Sequence, residues 1–269
     1  MEPTTKARSS FTKVAMLVVL GRALLLAPGS LEAGSVPVRF TDGVLHGFLV
    51  LRTSDGAVIA SGDLLQVAKG GQVESRMIFR FKDGSLSEES VVYTQQRVFA
   101  LQSYRSVQRG PAFPADMEIS LERSGKYRVK TKIHKNQREE VLDGRLELPP
   151  DVYNGMIINV VQNLPKGVAE TVHFVAFTPK PRLIQLQLIP EGERKVQIGE
   201  VTKSATHYVF KPQLGTWLKL AATVLGRVPP DYHAWILTEE IPAFLRADGP
   251  FYMGGPNWRI ELTGPRWPN

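Results

Sequence analysis

The chain has 269 residues, 43% of them hydrophobic, and a formal net charge of +7, which suits one large domain or two small ones. It contains no cysteine, so disulfide scaffolds, thiol chemistry, cysteine-ligated zinc and a lipid-modified cysteine anchor are excluded. The positive charge is only weak evidence for anionic partners, because a net charge of this size also keeps a protein soluble.

The first 35 residues have the pattern of a secretory leader. A basic start precedes two apolar stretches, Val14–Leu20 and Ala23–Ala27, and Ala33–Ser35 supplies the small residues of a cleavage site. We predict a signal peptide over residues 1–35 and a single exported β-rich domain over 36–269, periplasmic or extracellular. Arg22 divides the apolar stretch, so an uncleaved membrane tether and a disordered cytosolic tail stay open, while a transmembrane helix needs a longer run.

Residues 48–146 alternate apolar and polar side chains with period two, which is typical of strands with one buried face. The clearest run is Gln72–Phe81. Dipeptides with glycine, among them Gly70-Gly71, Asp83-Gly84 and Asp143-Gly144, punctuate the runs and indicate tight hairpins. This half of the chain therefore predicts an antiparallel meander.

Two helices are predicted in the second half. The first starts at Pro150 and ends before Pro165, with an apolar stripe that includes Tyr153, Met156 and Val160. The second runs from Thr216 to Leu225 and is apolar on nearly all sides, so it is a buried structural helix, a lid over an apolar ligand or a membrane-surface segment.

Strands resume between and after these helices. The predicted strands are Thr171–Phe177, Leu183–Ile189, His207–Lys211, Tyr232–Leu237 and Trp258–Leu262. The predicted fold is mainly β: one curved antiparallel sheet of roughly ten strands, a β-clam or half-barrel, with both helices on its concave side.

A one-sided cationic strand is predicted over 126–134. Its even positions, which include Lys126 and Arg128, point to one face and could hold an anionic group. The alternative is neutralisation by cross-strand pairs, in which Glu122, Glu118 and Glu140 would face Lys126, Lys130 and Lys132.

The sequence lacks several common enzyme motifs. Metalloprotease, phosphate-loop, dinucleotide and serine-hydrolase motifs are missing, so no catalytic residue, cofactor or metal is predicted and the chain is interpreted as leaning away from an enzyme. Three histidines on C-terminal strands, His173, His207 and His233, would permit a dispersed hydrolase or zinc site only if they converged.

Four segments carry a resemblance to known proteins. They are Leu148–Tyr153 with the apolar helix after it, Thr178–Leu183, Ala205–Tyr208 and Gly254–Leu262. In this pattern the chain resembles exported bacterial proteins of unknown function whose outline is similar to the lipoprotein-localisation carriers, the LolA/LolB-like β-clam. The resemblance implies a half-open sheet that shelters acyl chains under helices, and it supplies no catalytic residue.

Three functions follow as hypotheses. The first is a binding protein that shelters an apolar or acylated ligand, with basic residues at the rim to orient an anionic head. The second is an envelope protein with a packed core that binds a protein or an anionic glycan through Lys126–Lys132, and the third is a hydrolase. No nucleic-acid partner and no transmembrane helix in the mature chain are predicted. The predicted ligand-binding residues are Met156, Ile157, Val160, Trp217, Leu218, Ala221, Val224, Lys126 and Arg128.

Overall fold

The computed structural model describes residues 34–177, 180–198, 201–213 and 231–263. These residues contain fourteen strands and one helix. In chain order they are β1 (Leu45–Arg52), β2 (Val58–Lys69), β3 (Gln72–Phe81), β4 (Leu86–Gln95), β5 (Phe99–Arg109), β6 (Ala115–Glu122), β7 (Lys126–Ile133), β8 (Glu139–Arg145), α1 (Ile157–Asn163), β9 (Glu170–Ala176), β10 (Arg182–Ile198), β11 (Val201–Gln213), β12 (Tyr232–Leu237), β13 (Ala243–Pro250) and β14 (Asn257–Thr263).

All fourteen strands belong to one antiparallel sheet in the order β8-β7-β6-β5-β4-β3-β2-β1-β14-β13-β12-β11-β10-β9. The predicted mainly β fold with a single curved antiparallel sheet is confirmed. The meander is confirmed in detail: the strand predicted from period-two alternation over Gln72–Phe81 has the bounds of β3. Gly70, Gly71 and Gly84 have positive φ angles, as tight hairpin turns require.

The sheet curves back on itself, because strands near its two ends contribute to the same buried cluster. Val129 of β7 and Leu188 of β10 belong to one cluster of buried residues, although these strands lie near opposite ends of the strand order. We call one side of β1–β8 the inner face and the opposite side the outer face. The inner face carries Val129, Leu121, Tyr104, Val91 and Tyr93. The outer face carries the charged positions of the alternating strands.

Two apolar clusters fill opposite parts of the interior. The first surrounds α1 and includes Tyr153, Met156 and Val160, all at most 1% exposed. The second contains Leu49, Leu51, Ala60, Phe79, Phe81, Phe113 and Trp258. Phe81, Phe113 and Trp258 contact one another through tilted and edge-on rings with centroids 5.3–6.2 Å apart.

A segment of residues 34–42, the N-terminal segment, crosses the first cluster and is held by side chains. The backbone N–H of Val36 donates to the Tyr153 hydroxyl at 2.8 Å. The Asn163 side-chain oxygen accepts from the backbone N–H groups of Arg39 and Phe40, both at 2.7 Å. These bonds give partners to the backbone donors of the segment and hold it on Tyr153 and Asn163.

Three sequence-based expectations about the elements are corrected. The first helix starts at Ile157 and not at Pro150, because Asp151–Tyr153 instead pairs with the edge of β9, where Val152 and His173 form a parallel bridge. The Asp143-Gly144 pair is not a turn and lies within β8. The sheet has four more strands than the ten expected.

Two of the differences have identifiable causes. The strand predicted to end at Ile189 continues through Pro190. A register shift between Pro190 and Glu193 accommodates the proline within the strand. The strand β13 has no strict period-two pattern and ends in Gly249-Pro250, so it was not predicted. The predicted second helix, Thr216–Leu225, lies outside the described residues.

Candidate functional site

A cavity of about 270 Å³ lies on the inner face of the sheet. We call it the seam cavity, because residues of the edge strand β8 and a residue just after the other edge strand, β9, both line it. The two edge strands stand at opposite ends of the strand order and are not paired with each other. Its lining residues are Gln108, Pro114, Ala115, Met117, Val129, Thr131, Glu140, Leu142, Phe177, Tyr252 and Met253.

The strand register explains why these side chains converge. Gln108 pairs with Met117, Met117 with Thr131 and Thr131 with Glu140, so one residue from each of β5 to β8 forms a row on the inner face. Val129 and Leu142 form the next row. Phe177 and the β13–β14 connection, with Tyr252 and Met253, close the opposite side.

The cavity wall is mainly apolar and reaches the surface. Leu142 is 37% exposed and Met253 is 45% exposed, so two large apolar side chains stand where the cavity meets solvent. Two of the polar lining groups are already engaged: Gln108 donates to the Phe251 carbonyl at 2.8 Å, and Glu140 pairs with Arg138 at 2.9 Å. The arrangement can therefore enclose an apolar group with little competition from unsatisfied polar atoms.

A partly buried carboxyl lies near this cavity on the same face. Glu89 of β4 accepts a hydrogen bond from the Tyr104 hydroxyl at 2.7 Å, and the Tyr104 ring stacks on Phe177 with centroids 6.2 Å apart. Burial raises the pKa of Glu89, and burial together with the charge of Glu89 raises that of Tyr104. Sequence patterning alone did not mark Glu89, because the run Ser87-Glu88-Glu89-Ser90 has no period-two alternation that assigns it to a face.

The predicted lining residues on the first helix have a different environment. Met156 and Val160 are buried in the first cluster, Ile157 packs against it, and the seam cavity is lined by other residues. Trp217, Leu218, Ala221 and Val224 lie outside the described residues. A ligand site between these two groups of residues therefore stays a prediction.

Lys126 and Arg128 point to the outer face, away from the seam cavity. Arg128 lies 3.6 Å from Asp143, and Lys132 lies 3.5 Å from Glu139. The expected pairing of Glu118 with Lys130 is confirmed by the register, but Glu140 does not face Lys132 as expected. It pairs with Thr131 and points inward, since β8 is shifted by one residue from the predicted register.

Other outer-face charges are paired as well. Glu118 bonds to Arg105 at 3.0 Å, and this guanidinium is the largest cause that lowers the pKa of Glu118. Arg76 forms two bonds of 3.0 Å with Glu88 on the neighbouring strand. Such pairs reduce the net field of this face, so a protein or anionic glycan partner for Lys126–Lys132 stays a prediction without structural support.

The three C-terminal histidines do not converge. His173 Nδ1 lies 2.7 Å from the buried carboxylate of Asp151, and it pairs with Gln185 of β10. His207 is 3.4 Å from Glu191, six residues further along β10, or roughly 20 Å away by strand geometry. The described residues contain no group of three or more His, Cys, Asp or Glu side chains that could hold a metal.

His207 and His233 instead form a pair on the side of β11 and β12 opposite to Tyr208 and Ala234, which belong to the first cluster. Their Nε2 and Nδ1 atoms are 3.0 Å apart, and the His207 ring stacks on Trp235 at 4.6 Å. The Arg246 guanidinium lies 4.3 Å from the Trp235 ring. Burial, and then the neighbouring His233, lowers the pKa of His207. This stack joins β11, β12 and β13.

Comparisons with known proteins identify no family. No family model and no curated protein matches the chain. Among solved structures, it is similar to the crystal structure of a β-barrel-like protein of the domain of unknown function DUF1849 from Brucella abortus, at 8% identity and a TM-score of 0.42, covering 82% of this chain and 98% of that one. A likeness at this level carries no argument about function. Within the described ranges, no helix is long and apolar enough to cross a bilayer.

Proposed function

We propose that this protein binds a small apolar or amphipathic molecule in the seam cavity. The observation that carries the proposal is a space of about 270 Å³ among the described residues, lined mainly by apolar side chains and open beside the exposed side chains of Leu142 and Met253. A cavity of about 150 Å³ suffices to hold benzene, so this one accepts a larger apolar group.

The size of the cavity limits the ligand and its affinity. Burial of each CH₂ group contributes about 0.8 kcal/mol, so an eight-carbon chain gains roughly 6 kcal/mol. That gain corresponds to a Kd of tens of micromolar. Losses of ligand freedom weaken the affinity further. We therefore expect a carrier or sensor of small amphiphiles, or of one chain of a larger lipid, with reversible binding.

Export is the second part of the proposal. The basic start, the apolar stretches and the small residues at Ala33–Ser35 support a leader that directs the chain to the periplasm or the exterior. Fractionation of the cells that express the full chain, followed by mass spectrometry of its N-terminus, tests this. Recovery of the intact chain, with Met1, in the cytosolic fraction would contradict it.

Binding can be tested with a fluorescent apolar probe. The protein is purified without detergent and titrated with N-phenyl-1-naphthylamine, whose fluorescence rises in an apolar site. We expect saturable binding to the unchanged chain. Leu142→Trp, which adds an indole at the cavity, should weaken the probe's affinity about tenfold, since steric exclusion removes most of the buried contact.

The adjacent residue supplies a matched control. Val141 lies on the same strand but points to the outer face and is 55% exposed. Val141→Trp adds the same indole without reaching the cavity, so its affinity should equal that of the unchanged chain. Absence of saturable binding, or equal effects of the two variants, would refute the proposal.

A further inference from the structure

Glu89 has an unusual position for a carboxylate of this sheet. It lies in the middle of β4, where it pairs with Met77 of β3 and Ser106 of β5. The alternation of side chains places it on the inner face, with the two apolar clusters, and not with the ion pairs of the outer face. Within β1–β8 the inner face carries one other carboxylate, Glu140 at the cavity.

The described residues satisfy Glu89 only in part. One of its oxygens accepts from the Tyr104 hydroxyl, and the other has no hydrogen-bond partner in the described part of the chain. Every lysine and arginine of β1–β8 lies on the outer face by the same alternation, so no cation of these strands reaches Glu89. Glu89 is nevertheless only partly buried, so a molecule on the inner face can reach it.

The strand register places Glu89 close to the seam cavity. Gln108, a lining residue, pairs with Ser87, which is two residues from Glu89 on β4. Glu89 and Gln108 are thus diagonal neighbours across two strands, about 7–8 Å apart. Phe177 makes the second connection, because it lines the cavity and stacks on Tyr104, the hydrogen-bond partner of Glu89.

We infer that Glu89 anchors the polar end of the ligand, and that the ligand is an apolar molecule with a protonated amine. This inference rests on the proposed function, since it names the ligand class of the same cavity. An ammonium group donates up to three hydrogen bonds and supplies the positive charge that the inner face of β1–β8 lacks. A ligand with a carboxylate head would instead place its negative charge beside that of Glu89 in a poorly solvated site.

The inference reverses one expectation from the sequence. An anionic head held by Lys126 and Arg128 would need these cations near the cavity, and both lie on the outer face. The raised pKa of Glu89 agrees with a carboxyl that lacks a cationic partner in the free protein. Binding of an ammonium group would supply this partner.

Three probes with one chain length separate the possibilities. Octylamine, octanol and octanoate are titrated at pH 7 by calorimetry and by displacement of N-phenyl-1-naphthylamine. Octylamine should bind at least about tenfold more tightly than octanoate, because a charge-assisted hydrogen bond to a partly buried carboxylate replaces a repulsion. Octanol should lie between them.

Two variants assign the preference to Glu89. Glu89→Gln keeps the shape and an acceptor for the Tyr104 hydroxyl but removes the charge, so the affinities of the three probes should come within about threefold of each other. Tyr104→Phe keeps the charge, so the preference for octylamine should persist. Circular dichroism and thermal melts report whether each variant folds.

The outcomes distinguish the two proposals. If all three probes bind equally to the unchanged chain and Leu142→Trp weakens all of them, the cavity binds ligands but the amine inference is overturned. If octanoate binds most tightly, the inference is likewise overturned. If no probe binds, the proposed function itself fails. Should Glu89→Gln not fold, the order of affinities in the unchanged chain and in Tyr104→Phe still decides.

Discussion

Asn163, the last residue of α1, should be among the most sensitive positions of the fold. It is 2% exposed, and its side-chain oxygen accepts from two successive backbone N–H groups of the N-terminal segment, those of Arg39 and Phe40, at 2.7 Å each. Its amide nitrogen also donates to the Asn159 carbonyl at 2.8 Å. Asn163→Leu keeps a similar volume but removes all three bonds.

The cost follows from these bonds. Each backbone donor left without a partner costs about 1–3 kcal/mol, and loss of the bond to Asn159 adds about 1 kcal/mol. The free energy of unfolding should therefore fall by about 3–7 kcal/mol, a large fraction of the 5–15 kcal/mol typical of proteins. For a domain of this size the corresponding drop in Tm is about 6–28 °C.

Urea unfolding followed by tryptophan fluorescence measures this change as a shift of the midpoint at constant slope. Gln162→Ala is a matched control on the same helix, because it removes a single bond of 2.9 Å to the Pro242 carbonyl and should cost only about 0.5–1.5 kcal/mol. A loss below about 1 kcal/mol for Asn163→Leu would refute the reasoning that these bonds hold the N-terminal segment.

Three further predictions concern pH, packing and the N-terminus. The raised pKa of Glu89 means that the folded state holds a proton that the unfolded state releases above its ordinary pKa of 4.5, so this stability is lost as the pH rises through the raised pKa. Glu89→Gln should therefore stabilise the protein more at pH 8 than at pH 4.5 in urea unfolding, and an equal effect at both pH values would contradict this. Gly62→Ala should cost at least about 1–3 kcal/mol, since its Cβ would lie 2.6 Å from the buried Phe79 ring, whereas Gly43→Ala has nothing within 4 Å and should be nearly neutral in the same assay. A chain that begins at Val36 should melt at a lower temperature at pH 7 than one that begins at Gly34, because its charged amino group would be buried at Tyr153. The difference in Tm should shrink at pH 9, where this amino group is mostly neutral. An unchanged difference at pH 9 would show that the charge is not its cause.

Local pattern was sufficient for much of the sheet. Alternation over Gln72–Phe81 and over 126–134 predicted β3 and β7, because strands with one solvent-exposed face repeat every two residues. The same rule placed Lys126 and Arg128 together on one face and Glu118 opposite Lys130. It failed for β13 and the second half of β10, where glycine and proline lie inside strands and a register shift accommodates them.

The sequence by itself determined the fold class, the absence of thiol chemistry and the alternating character of the strands, because these depend on composition and on neighbours two to four residues apart. Only the tertiary structure decided where the cavity lies. Phe177 and Tyr252 reach the inner face of β5–β8 through the curvature of the whole sheet, and the one-residue shift of β8 turns Glu140 inward and Glu139 outward. Contacts between residues far apart in the chain depend on register and curvature, which no local pattern encodes.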